Sequence, residues 1–225
     1  MPGLFITFEG GEGTGKTTQL RALSVHLRAG GWNALETRDP GGTPIGAEIR
    51  RFLLDREQAP MTAIAELFLY EASRAQLVLE SIRPALAQGC IVLCDRFTDS
   101  TVAYQGYGRG LDPEVISRLN GLATGGLRPD LTFLLDLDPA VGLARTAQRM
   151  ASERRPTDRI ERELIGFHQR VREGYRAIAA AEPERVSVLD ASRPVAETQE
   201  ALRRRMEDVL RSPRGCPGRN RSNPR

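Results

Sequence analysis

The sequence holds a single lysine, Lys16; the other 31 of its 32 Lys and Arg residues are arginine. It is also short of cysteine, with three, of histidine, with two, and of aromatic residues, at 5%. Cys90, Cys94 and Cys216 cannot make an even disulfide framework, and Cys90 and Cys94 flank an apolar run where a reduced thiol packs as a small hydrophobe. Neither His26 nor His168 lies near a cysteine pair, which excludes the usual zinc spacings. No apolar run approaches the roughly 18 residues of a membrane span, and the first begins at Leu4, which leaves no room for a signal peptide. These absences point to a protein of the reducing cytoplasm, with no membrane partner.

The net positive charge comes from the C-terminus. The stretch from Ser212 to Arg225 carries four arginines and no acid, so removing it takes the formal charge from +3 to −1 for the other 211 residues. A near-neutral body with few aromatics argues against nucleic acid as a partner. The Pro/Gly/Arg/Asn tail, 212–225, reads as a disordered basic extension. Residues 1–211, 40% apolar and 27% charged over the whole chain, suit one domain with a buried core.

What is present begins at Phe8-Glu-Gly-Gly-Glu-Gly-Thr-Gly-Lys-Thr-Thr18. This matches G-x-x-x-x-G-K-T, the phosphate-binding loop, with Gly10, Gly11, Glu12, Gly13, Thr14, Gly15, Lys16 and Thr17 as the nucleotide-phosphate contacts. Glycines let successive backbone N–H groups turn inward on a phosphate, and the following helix adds the positive end of its dipole. Lys16 is placed to reach the β- and γ-phosphates, and the Thr17 hydroxyl to ligate Mg²⁺. A chain that writes arginine at every other basic position keeps here the compact point charge of an ammonium.

The flanking pattern supports the motif. Strands are expected at 4–8, 34–37, 91–94, 131–137 and 186–189, alternating with helices at 18–27, 45–54, 62–79, 81–88, 117–122, 141–149, 163–181 and 195–210. The alternation predicts an α/β fold: a doubly wound parallel sheet of about five strands with helices on both faces and ligands at the strands' C-terminal ends. Polar groups cluster at those ends. Asp95, after an apolar strand, suits a Mg²⁺ site held directly or through water, or a helix cap. Arg96 suits a phosphate, or an ion pair with Asp95 or Glu12. A segment dense in arginine runs from Arg145 to Arg162.

Arg38-Asp-Pro-Gly-Gly-Thr43, Tyr70-Glu-Ala-Ser-Arg74, Asp95-Arg-Phe-Thr-Asp-Ser100, Ala103-Tyr-Gln-Gly106 and Asp158-Arg-Ile-Glu161 together resemble bacterial thymidylate kinase, in order, from about Leu4 to Leu210. The resemblance implies a P-loop nucleoside monophosphate kinase fold with a mobile Arg-rich lid at about 145–162, acting as a homodimer. It implies transfer of the γ-phosphoryl group of Mg-ATP to dTMP. Tyr70 stacks on the base, in place of the family's more common Phe, and Arg74, one turn later, hydrogen-bonds its edge. Thr101 and Gln105 match base contacts, Tyr104 the deoxyribose, and Glu12 the carboxylate near the sugar and acceptor phosphate. Arg96 and Arg50 match acceptor-phosphate ligands, while Arg38 suits loop anchor and phosphate ligand equally.

Some members of the family carry an arginine in the phosphate loop where this chain has Gly13. The lid then supplies the cation over the transferring group, from among Arg149, Arg154, Arg155 and Arg159, with Arg149 and Arg159 counted with Lys16 and Arg96 as catalytic. Asp190-Ala-Ser-Arg-Pro194 matches a loop bordering adenine, or is a plain αβ turn. A kinase of another nucleoside monophosphate or of a deoxynucleoside shares loop and lid, and a P-loop switch or ATPase shares the loop alone.

Overall fold

The computed structural model describes residues 3–55 and 60–211. The basic stretch 212–225 lies outside the described residues. Five strands, β1 (Leu4–Glu9), β2 (Ala34–Arg38), β3 (Ile91–Asp95), β4 (Leu131–Asp136) and β5 (Val186–Asp190), form one sheet in the order β2-β3-β1-β4-β5. Every pairing is parallel, with Phe8 beside Asp95 on one side of β1 and beside Phe133 on the other. β1 is buried along its whole length, as its near-continuous apolar run requires of a central parallel strand. Its alternation divides the core. Leu4, Ile6 and Phe8 face α1 (Lys16–Ala29) and α9 (Val195–Arg211), whereas Phe5 and Glu9 face the opposite side.

On that second side lie α3 (Ala63–Leu77) and α8 (Ile165–Ala181). The chain enters α3 from α2 (Pro44–Leu54), where Pro44 takes the first helical position and the Thr43 hydroxyl accepts from Gly46 N–H. The sequence reading broke the next helix near Ser81. The structure instead carries α3 through a π-helical turn, Val78–Ile82, into α4 (Arg83–Ala87). Pro84 cannot donate and its ring crowds the carbonyl four residues back; that carbonyl, of Glu80, lies in the widened turn, which lets the helix pass the proline without ending.

A second difference lies after β3. No helix was expected at 98–108, yet α5 (Thr98–Thr101) runs into a π-helical segment, Val102–Gly108. Its β-branched residues and two glycines hide the helical signal. α6 (Pro113–Thr124) and α7 (Pro139–Ser152) start earlier than periodicity indicated, each with Pro at its first position and an Asp cap, Asp112 and Asp138. α7 occupies the first part of the 145–162 segment, and the chain from Glu153 to Leu164 is irregular.

Candidate active site

The loop between β1 and α1 closes over the end of the central strand. Gly10 and Gly13 have φ of 136° and 67°, and a Cβ at Gly13 would stand 2.1 Å from the carbonyl oxygen of Gly142 on α7. Only glycine fits a positive φ at so close an approach. Lys16 Nζ donates to the carbonyls of Gly10 (3.0 Å) and Gly11 (2.7 Å). Burial, with Arg96 nearby, brings its pKa down to about 8 against the pull of Glu12 and Asp95. The Thr17 hydroxyl donates to Asp95 Oδ2 at 2.6 Å, so the two residues named for a metal meet. No group of three or more His, Cys, Asp or Glu suited to a metal exists among the described residues. One hydroxyl and one carboxylate fit Mg²⁺, which takes few protein ligands and completes its shell with phosphate oxygens and water.

Arg96 holds a left-handed φ of 73°, a strained conformation for a side chain of its size. From there its guanidinium donates to Gly10 O (3.0 Å), Ser100 Oγ (3.3 Å), Tyr175 Oη (3.0 Å), Tyr104 Oη (3.0 Å) and Glu12 Oε1 (2.8 Å). Of the two ion pairs considered for it, the one with Glu12 forms. Burial would raise the Glu12 carboxyl, but Arg96 and Lys16 outweigh it and hold the pKa at about 2. Behind Arg96 sits Glu9, fully buried, accepting from Phe97 N–H (2.7 Å), Ser100 Oγ (2.6 Å) and Tyr175 Oη (2.8 Å). Burial, reinforced by Asp99, pushes it up to about 7.

Beyond Arg96 a pocket is lined by Tyr70, Arg74, Thr101, Tyr104, Gln105 and Arg50, among others. All six residues named for the acceptor therefore share one cavity with Arg96 and Glu12. Arg74 is 1% exposed. Its Nε meets Asp39 (2.5 Å), while Nη1 meets Glu71 (2.7 Å) and Asn120 (2.6 Å). These carboxylates hold Arg74 firmly charged despite burial. Burial pushes the Tyr70 hydroxyl up, helped by the Glu66 carboxylate. Thr101 Oγ1 is buried without a partner. Arg50 donates to Pro40 O at 3.2 Å, and the Arg38 stem packs against Gly41.

The pocket adjoins a groove of about 1300 Å³ in which Thr17, Arg38, Arg50, Arg149 and Arg155 face one another. The arginines expected of a lid separate here. Arg149 is half exposed, 3.9 Å from Glu161. Arg159 turns away from the loop, donating to Leu53 O (2.9 Å) and Glu66 Oε2 (2.5 Å). Arg154 has φ of 51°, and Arg155 pairs with Glu153. In the turn after β5, Asp190 accepts from Ser192 and Arg145 donates to Ala191 O. Sequence reasoning missed Glu9, Glu66, Arg109 and Tyr175. Glu9 immediately precedes the loop motif, which was the one available signal; Tyr175 reaches it from 166 residues away.

A phosphate-loop motif and a cation-lined pocket that meet at Arg96 have the layout of a phosphotransferase of the phosphate-loop nucleotide kinase class. Comparison with known proteins narrows the class. The family model described as thymidylate kinase matches residues 8–202. Thymidylate kinase of Geobacter sulfurreducens is 53% identical over 201 residues, 89% of this chain and 94% of that protein. That of Solidesulfovibrio magneticus is 55% identical over 191 residues, 84% and 91% of the two chains. The crystal structure of thymidylate kinase from Ehrlichia chaffeensis superposes with a TM-score of 0.74 at 34% identity, over 92% of this chain and 100% of that one. The chain belongs to the thymidylate kinase family. No helix among the described residues is long and apolar enough to cross a membrane.

Proposed function

We propose that the chain phosphorylates dTMP to dTDP with Mg-ATP, and that the residues brought together above carry the reaction. The observation that carries the assignment is Arg96, which donates to the carbonyl of Gly10 in the phosphate loop and also lines the acceptor pocket. A cation so placed serves donor and acceptor phosphates at once. Loop amides and Lys16 cradle the donor. Thr17 and Asp95 would hold Mg²⁺, which, when bound, neutralises charge on the donor phosphates. Arg96 and Arg50 orient the acceptor phosphate, Tyr70 stacks on the base, and Arg74, Thr101 and Gln105 meet its edge. Tyr104 packs at the sugar beside Glu12.

The acceptor oxygen is already anionic, so the site needs no strong base, and acceleration comes from alignment and charge stabilisation. Arg149 is the lid arginine assigned to the transferring group, since it faces the groove at Thr17 while Arg159 anchors the lid's far end. We place residues 1–211 in a single kinase domain with the lid at about 145–162. The exposed Ile64, Phe68 and Leu79 recur along one run of α3 and its continuation, beside exposed Phe52 on α2 and Leu122 on α6; this apolar surface favours a homodimer packed through those helices. Cys90 and Cys94 are free thiols, which fits a reducing cytoplasm.

The assay is ADP formation from Mg-ATP with dTMP, dUMP, dCMP, dGMP, AMP and thymidine as acceptors. Strong preference for dTMP is expected. Turnover of AMP or thymidine in its place would discard the pocket assignment, and silence across the panel would leave a non-kinase ATPase.

A further inference from the structure

Glu66 lies in the first turn of α3, where an acid ordinarily faces water and complements the helix dipole. Here it is 1% exposed. Three residues distant in sequence converge on it. Gln105 Nε2 donates to Oε1 at 2.8 Å, Arg109 Nε to Oε1 at 3.2 Å and Nη2 to Oε2 at 3.3 Å, and Arg159 Nη2 to Oε2 at 2.5 Å. Burial pushes the carboxyl up, but the Gln105 hydrogen bond and the two guanidinium groups outweigh it and keep it ionised.

An ionised carboxylate only accepts, whereas a glutamine amide has a donating end and an accepting end. With its NH₂ turned to donate to Glu66, Gln105 has its carbonyl oxygen left for the pocket that it lines. Arg74, in the same wall, can only donate. The wall therefore offers a donor and an acceptor, which complement the O4 acceptor and N3–H donor of a thymine or uracil edge. A cytosine edge carries a donor at N4 and an acceptor at N3, opposed at both positions.

Resting on the functional reading above, we infer that Glu66 is a positioning residue that sets the pocket's choice of base by fixing which way the Gln105 amide points. It touches neither base nor phosphate. Arg109 and Arg159 keep it charged, so the lid's anchor and the base reader share one carboxylate.

The test is kcat/KM for dTMP and for dCMP in the wild-type protein and in Glu66→Gln, with thermal melting to verify folding. A neutral amide at 66 has one acceptor oxygen, which the arginines claim. Its NH₂ then faces Gln105, which turns over and presents its own NH₂ to the base. The dTMP-to-dCMP ratio should fall at least about tenfold, the scale of one mispaired buried hydrogen bond. A structural role alone would lower both substrates equally. Glu66→Asp keeps the charge for both arginines but withdraws it from Gln105, and should lower the ratio without unfolding. In a Gln105→Leu background the effect of Glu66→Gln on the ratio should vanish. An unchanged ratio in either folded variant overturns the inference. Failure of the wild-type protein to turn over dTMP would instead overturn the functional reading beneath it.

Discussion

Glu9 is the group whose ionisation the fold opposes most openly, and Glu9→Gln isolates that opposition. Its carboxyl titrates at about 7 rather than 4.5, so between those values the folded protein binds a proton that the unfolded chain releases. A carboxyl raised in this way stabilises the fold fully below about pH 4.5, and the contribution is lost as pH rises through about 7. Across pH 5 to 8 the loss amounts to about 2.5 kcal/mol. The glutamine variant carries no such proton, and Ser100 and Tyr175 can rotate their hydroxyls to accept from its amide. Melting followed by circular dichroism, without nucleotide, should therefore show the variant gaining on the wild type with pH. The Tm difference between the two should move in the variant's favour by about 5–10 °C from pH 5 to pH 8. A difference that stays constant with pH would refute the reasoning, because it would mean that Glu9 ionises in the folded protein as readily as in the unfolded chain.

Two further outcomes follow from the loop and lid. Lys16, at about 8 in the free protein, is mostly neutral at pH 8.5 and should be recharged by a bound triphosphate. Calorimetry of ATP binding in buffers of differing ionisation enthalpy should then report uptake of about 0.7 proton at pH 8.5 and close to none at pH 7; no buffer dependence at pH 8.5 would contradict the lowered value. Arg149→Ala should lower kcat by about 10²–10³ with little change in Tm, whereas Arg159→Ala, which strips a partner from buried Glu66, should lower Tm and raise KM for dTMP. The opposite pattern would exchange the two roles.

The parts of the site that could be read in the sequence are those whose chemistry is local. The phosphate loop, its strand and its helix are contiguous, and Tyr70 and Arg74 stand one helical turn apart. Strand existence followed from apolar runs such as Ile91–Cys94, but strand order depends on which edges meet, and nothing within a run encodes that. Glu66 escaped notice because its three partners lie 39, 43 and 93 residues away, and an acid opening a helix has an ordinary explanation. The arginines of 145–162 are alike in composition; only tertiary contacts part Arg149, facing the groove, from Arg159, tied to α3. The Thr98–Gly108 helix was illegible for a different reason, since propensity argued against it and packing on α8 overrode propensity.

The backbone contact between Gly13 and Gly142 also governs where the lid's charge can be. Gly142 and Arg149 are seven residues apart on α7, two turns, so they share a side of the helix about 10 Å from one another. The glycine pair acts as a fulcrum, and the helix beyond it as an arm of fixed length ending in a guanidinium. Widening the loop at position 13 with any side chain would lift the fulcrum and swing that arm off its mark. An arginine placed at position 13 of this chain would collide with Gly142 before it could replace Arg149, so a single substitution at Gly13 could not exchange one for the other.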